Sequence, residues 1–258
     1  MKRNAIALAS SRGARSKMSK AEWTARVDLA AAYRIGAIFG WSNLIYNHVT
    51  LRVPGEPNHF LVKVNDLMFE EVTASSLAKL DLDGKPVGED QNVNVTGFNI
   101  HTAVLRARPD VNAVYHVHTD AGTAMSAHKK GLLPMSQASM QFYNRLAYHD
   151  YEGLSDDEGE RERIARAMGG KKAMIMRNHG LLTCGESIGR ALVLMKYLVT
   201  SCETQLRLEA TGADIILPPP EMCEHAARQW ETFDPINADA EWRALVRLAD
   251  RHDPSFRN

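Results

Sequence analysis

The stretch Val111-Asn112-Ala113-Val114-Tyr115-His116-Val117-His118 constrains the fold of this chain more than any other. It is short and apolar, and it runs directly into the small-residue segment Ala121-Gly122-Thr123-Ala124. That pattern reads as a buried strand feeding a helix, a unit of α/β folds. Side chains two apart on a strand share a face, so His116 and His118 project together while Tyr115 and Val117 face the other way. Two imidazoles held so suit one metal ion, about 2.0–2.1 Å from each nitrogen. Two polar residues on an exposed strand face would give the same spacing. The otherwise apolar strand and its end position, where α/β folds place chemistry, speak for the metal.

The surrounding chain supplies the other elements. Ser19-Lys20-Ala21-Glu22 has capping-box spacing and predicts a first helix that stops near Gly40. Ile45 to Val53 and Phe60 to Val64 read as a hairpin around the turn Pro54 to Asn58, and Leu80 to Lys85 as a further strand and tight turn. A helix over Phe98 to Arg108 ends before Pro109. Lys172 to Met176 is a second buried strand running into the loop Arg177-Asn178-His179-Gly180. There His179 reads as a surface residue, a hydrogen-bonded spacer or a third ligand. A long amphipathic helix covers Ser187 to about Ala210, and Pro218-Pro219-Pro220 precedes two C-terminal helices carrying Trp230 and Trp242. Residues 1–18 form a basic tail expected to be solvated, and residues 19–258 a single domain with a helical C-terminal extension from about residue 218.

Composition narrows the function classes. Lys+Arg and Asp+Glu are 31 each, so no global field favours nucleic acid or a membrane surface. The apolar runs are too short to span a bilayer. Three scattered cysteines, Cys184, Cys202 and Cys223, argue against a disulfide framework and for a reducing, cytoplasmic setting.

Several segments then resemble one family, in order from about Ala30 to Gly212. They are Gly40 to Thr50, Phe69 to Leu77, Arg108-Pro109-Asp110-Val111, His116-Val117-His118 and Arg177-Asn178-His179-Gly180. Together they are similar to the class II aldolase/adducin family. Gly97-Phe98 before His101 and Ala147 to Tyr151 place the chain nearer the adducin-like bacterial branch. The resemblance implies a three-layer α/β/α fold with a mostly antiparallel central sheet. It also implies a homotetramer with sites between subunits, a small-molecule substrate, and one divalent metal on His116, His118 and His179. Zinc is the expected metal, with manganese and iron as alternatives, since imidazole accepts all three.

The departures bear on the reaction. Sugar-phosphate aldolases carry a catalytic Glu four residues before the helix histidine, where this chain has Gly97. Val95 and His48 also alter the usual phosphate cradle, leaving Asn47, His48, Thr96 and Gly97 as the expected substrate-binding positions. A site with a metal electron sink but no such base favours decarboxylation, or aldol cleavage of a non-phosphorylated oxo- or hydroxy-carboxylate. The candidate catalytic groups are Asp120, Tyr148 and His149. Asp120 either N-caps the helix from Ala121 or moves a proton, and Tyr148, His149 and Tyr151 either reach the pocket or pack a loop. Glu70 and Glu71 read as surface residues, and His101 as a neighbour of the ligands rather than a ligand. His48 either takes a carboxylate or satisfies backbone groups. Two rival readings remain: a non-enzymatic module like the adducin head domain, and a non-haem iron oxygenase.

Overall fold

Ser19 starts the first helix as its spacing predicts, its side chain accepting from Glu22 N–H. This computed structural model describes residues 18–88, 92–93, 95–154 and 158–258, except the side chains at 95–97, 158 and 234–237. The expected basic tail thus lies outside the described residues but for Met18. Helix α1 spans Lys20–Ile38 and ends at Gly40, whose φ of 72° suits glycine.

A hairpin follows, β1 (His48–Val53) and β2 (Glu56–Lys63), then β3 (Leu77–Asp81). The turn is tighter than the sequence suggests, since β2 begins at Glu56 and Gly55 takes φ 82°. A register shift at Arg52/Val53 accommodates Pro57 before pairing with β3 begins. Helix α2 (Val95–Ala107) starts earlier than Phe98 and leads through Pro109 to β4 (Ala113–Val117) and the short α3 (Asp120–Ser126). After a one-turn helix α4 (Gln137–Met140) come β5 (Leu146–His149), α5 (Glu158–Met168), β6 (Ala173–Met176), β7 (Gly180–Gly185) and α6 (Ile188–Glu209). The C-terminal region is one helix, α7 (Pro220–His252), rather than the two expected. Pro235 removes one backbone donor, yet the helix continues through it.

The seven strands form one sheet in the order β3-β2-β1-β4-β7-β6-β5. The sheet is mixed: β5–β6 is parallel and the other pairs are antiparallel. Its faces carry different layers. Val49, Leu51, Tyr115, Val117, Ile175 and Leu181 pack under α1 and α6, with α7 against both helices. Val114, Met174, Met176 and Leu182 pack under α2 and α5. Strand alternation therefore sends His48, Thr50 and His116 to the α2 side. Among the described residues no helix is long and apolar enough to cross a membrane, and all three cysteines are free and buried.

Candidate metal centre

His48 and His116 face each other across the β1–β4 ladder. His118 follows at the end of β4, and Asn47 fixes its main chain, accepting from His118 N–H at 3.1 Å while donating to Trp41 O at 2.6 Å. Asn47, placed by sequence in the substrate pocket, is instead 1% exposed and committed to these backbone bonds.

His179 arrives from the sharp β6–β7 turn. Asn178 takes φ 54°, a left-handed conformation asparagine tolerates, and its N–H donates to Ser126 O at 3.2 Å. Gly180 then brings its backbone against β4: a Cβ there would stand 2.7 Å from both His118 Cδ2 and Val117 O. Only glycine fits without moving the His118 ring.

His116, His118 and His179 each offer a nitrogen within 4.8 Å of the others. The ring centroids are 4.6 Å apart for His116–His118 and 4.8 Å for each pair with His179. His116 Nδ1 lies 3.0 Å from Leu181 O, an acceptor only, so Nδ1 carries the ring proton and Nε2 presents a lone pair. That Nε2 stands 2.8 Å from His118 Nε2. Burial is the first cause holding all three histidines below their ordinary pKa; for His116 and His179 the neighbouring histidines add to it. His179 falls to about 4. Three neutral imidazoles meeting at one point, one with its lone pair aimed inward, fit a divalent cation.

A second histidine pair lies behind the first. His48 Nδ1 is 2.8 Å from His101 Nε2 on α2, and His101 Nδ1 is 2.7 Å from Thr50 Oγ1. Burial drives both pKa values down, His101 to about 3. His101 thus touches the centre only through His48, whose ring centroid is 5.0 Å from that of His116.

The centre opens on a cleft of about 780 Å³ that His48, His118 and His179 line together with Asp120. Asn43, Tyr46, Thr123, Tyr151 and Asn178 complete its polar wall, and no described lining residue is lysine or arginine. Arg207 lines only a smaller neighbouring cleft beyond His118.

The other sequence candidates separate. Asp120 is at the cleft but does not cap α3; Thr119 does, accepting from Gly122 N–H at 3.0 Å, which puts Asp120 in the first turn. Tyr148 is absent from the described lining, because its hydroxyl accepts from Leu132 N–H at 3.0 Å and Arg177 covers its ring. His149 is buried against Glu160, 3.4 Å away, and likewise does not line the cleft. Glu70 and Glu71 are exposed. Gly97 sits in the first turns of α2, and the Thr96 and Gly97 positions as substrate contacts lie outside the described side chains. Sequence reading missed Asn43, Tyr46 and Asn178, which come from loops without periodicity.

Comparison with known proteins agrees with this architecture. Residues 27–206 match the model for the class II aldolase and adducin N-terminal domain. An aldolase II superfamily protein from Pseudomonas syringae superposes with a TM-score of 0.91 at 41% identity, over 95% of this chain and 99% of that one. An L-fuculose 1-phosphate aldolase from Glaciozyma antarctica superposes with a TM-score of 0.80 at 30% identity, over 92% and 93%. Alpha-adducin of Rattus norvegicus is 46% identical over 197 residues, which are 75% of this chain but 27% of that protein.

Proposed function

The chain belongs to the class II aldolase and adducin family, and from that membership and its three convergent histidines we propose that it is a metal-dependent carbon–carbon lyase. The reaction is decarboxylation or aldol cleavage of a small, non-phosphorylated oxo- or hydroxy-carboxylate. The observation that carries the reading is the meeting of His116, His118 and His179 within 4.8 Å, with His118 and His179 lining an open cleft and His116 buried behind them. These residues would hold the divalent ion, zinc first and manganese or iron as alternatives. When bound, such an ion supplies Lewis acidity toward substrate oxygen.

The chain's own residues do the rest. His116 is held as a neutral ligand by Leu181 O, and Gly180 keeps the His118 ring in place. Asp120, at the cleft, is the group we assign to proton movement in place of the carboxylate that Gly97 lacks. Tyr148 and His149 are withdrawn from that role by their bonds to Leu132 and Glu160.

The cleft chemistry supports a weakly charged substrate. A phosphate dianion calls for cations or a nest of backbone donors, and no described lining residue is cationic. His48, which lines the cleft, would donate to a single carboxylate, and an ion held by the three histidines would supply the positive charge beside it. The likeness to an L-fuculose 1-phosphate aldolase points the other way, so substrate class is tested directly. Protein purified without a histidine tag is challenged with oxo- and hydroxy-carboxylates and with ketose 1-phosphates. Turnover of the carboxylates is expected; efficient cleavage of a ketose 1-phosphate overturns the substrate assignment.

The likeness to alpha-adducin supports a second reading, a binding module without catalysis. Elemental analysis separates the readings. About one zinc or manganese per chain supports the lyase, iron with oxygen uptake supports an oxygenase, and metal-free protein supports the module.

A further inference from the structure

Behind the metal-binding histidines, three side chains form a chain from the sheet into α2 and back to the cleft. Thr50 Oγ1 is 2.7 Å from His101 Nδ1, and His101 Nε2 is 2.8 Å from His48 Nδ1. Thr50 is 1% exposed, His101 0% and His48 5%.

The direction of these bonds follows from Thr50. Its hydroxyl has one proton to place, and its side chain hydrogen-bonds only to His101 among the described residues. Accepting from His101 would leave that proton buried without an acceptor, which costs more than an unused lone pair. The hydroxyl therefore donates to His101 Nδ1. A neutral imidazole has one N–H, so His101 carries it on Nε2 and donates to His48 Nδ1. By the same rule His48 carries its proton on Nε2. That nitrogen has no hydrogen bond within the described chain and is not among the buried unsatisfied atoms, and the ring lines the cleft.

We infer that Thr50 and His101 are positioning residues that lock His48 as its Nε2–H tautomer, making it a hydrogen-bond donor to a substrate oxygen rather than a fourth metal ligand. The identity of the acceptor rests on the lyase reading; the tautomer does not. A donor fixed beside the centre selects substrates that present an acceptor there, such as a carbonyl or carboxylate oxygen. It stabilises negative charge developing on that oxygen without reorganisation during the reaction.

The test uses the full chain labelled with ¹⁵N in histidine, as wild type, Thr50→Val and Thr50→Ser. Two-bond ¹H–¹⁵N correlation spectra report which nitrogen of His48 is protonated. The Nε2–H form is expected as the single form in wild type and Thr50→Ser, while Thr50→Val, which removes the donor that holds His101, should admit a minor Nδ1–H population, minor because an unused lone pair on His101 costs less than an unpaired N–H. Wild-type protein in the Nδ1–H form would overturn the inference whatever the variants do. A second arm titrates acetohydroxamate, an oxygen chelator with a carbonyl acceptor, into zinc-loaded protein. His48→Phe should weaken binding about tenfold with zinc content unchanged, because the ring donates to the chelator and does not hold the metal. Equal binding by wild type and His48→Phe, or loss of zinc from His48→Phe, would overturn the donor role. Should wild type take up no zinc, the metal reading fails, while the spectra still decide the tautomer.

Discussion

Two buried polar clusters of this molecule are built on opposite principles. Near the start of α1, Glu22 and Arg26 pair at 2.9 Å, Lys79 reaches Glu22 at 3.1 Å and Glu56 at 2.7 Å, and Arg26 also donates to Leu77 O at 2.7 Å. Every charge there has an opposite charge or a carbonyl beside it. The histidine cluster above β4 contains no described counter-charge at its centre: its rings face one another, and burial keeps them neutral. The closed network ties α1 to β3. The open one leaves lone pairs directed at a common point, which serves a ligand rather than the fold.

Removing one member of each cluster gives the sharpest contrast. His116→Ala and His179→Ala are expected to abolish metal uptake and turnover while leaving the cooperative melt of the metal-free protein nearly unchanged, as measured by elemental analysis and calorimetry. Full metal content in either variant contradicts the ligand set. Glu22→Ala should do the reverse, costing about 3–5 kcal/mol in denaturant unfolding because Arg26 and Lys79 lose their buried partner, with metal stoichiometry intact. Asp120→Asn, at the cleft, should lower kcat by about 10²-fold or more with metal content and stability held. An unchanged kcat removes Asp120 from the proton path.

Acid provides the mildest perturbation. His179 is held at about 4 in the folded chain, chiefly by burial and then by His118 and His149. Its unfolded value is about 6.5. The folded pKa is the lower one, so the unfolded chain binds more protons as pH falls through this window. Stability of the metal-free protein should therefore decline between pH about 6.5 and about 4, and bound metal should be released over the same range. Thermal melts at about pH 7.5 and about pH 5 check the sign; a higher melting temperature at the lower pH contradicts it.

How much of this was legible in sequence follows from distance along the chain. His116 and His118 are two apart, so strand period alone puts them on one face. His179 lies beyond three helices and two strands, and only the family resemblance joined it to them. The strand Gly180–Gly185 passed unread because its apolar run, Leu181 to Cys184, is short and follows directly on the loop that carries His179. Tyr148 and His149 looked like pocket residues, whereas β5 points one at the Leu132 loop and the other at α5. The Thr50–His101–His48 chain was invisible for another reason. It depends on α2 crossing β1 with His101 above Thr50, a tertiary fact that no local pattern encodes.

Anomalous scattering at the zinc edge, from crystals of zinc-soaked protein without a histidine tag, decides whether the three histidines hold one ion. One peak is expected about 2.0–2.1 Å from nitrogens of His116, His118 and His179, with His48 outside coordination distance. A density-free triad, or a peak that leaves out any of the three, would contradict it.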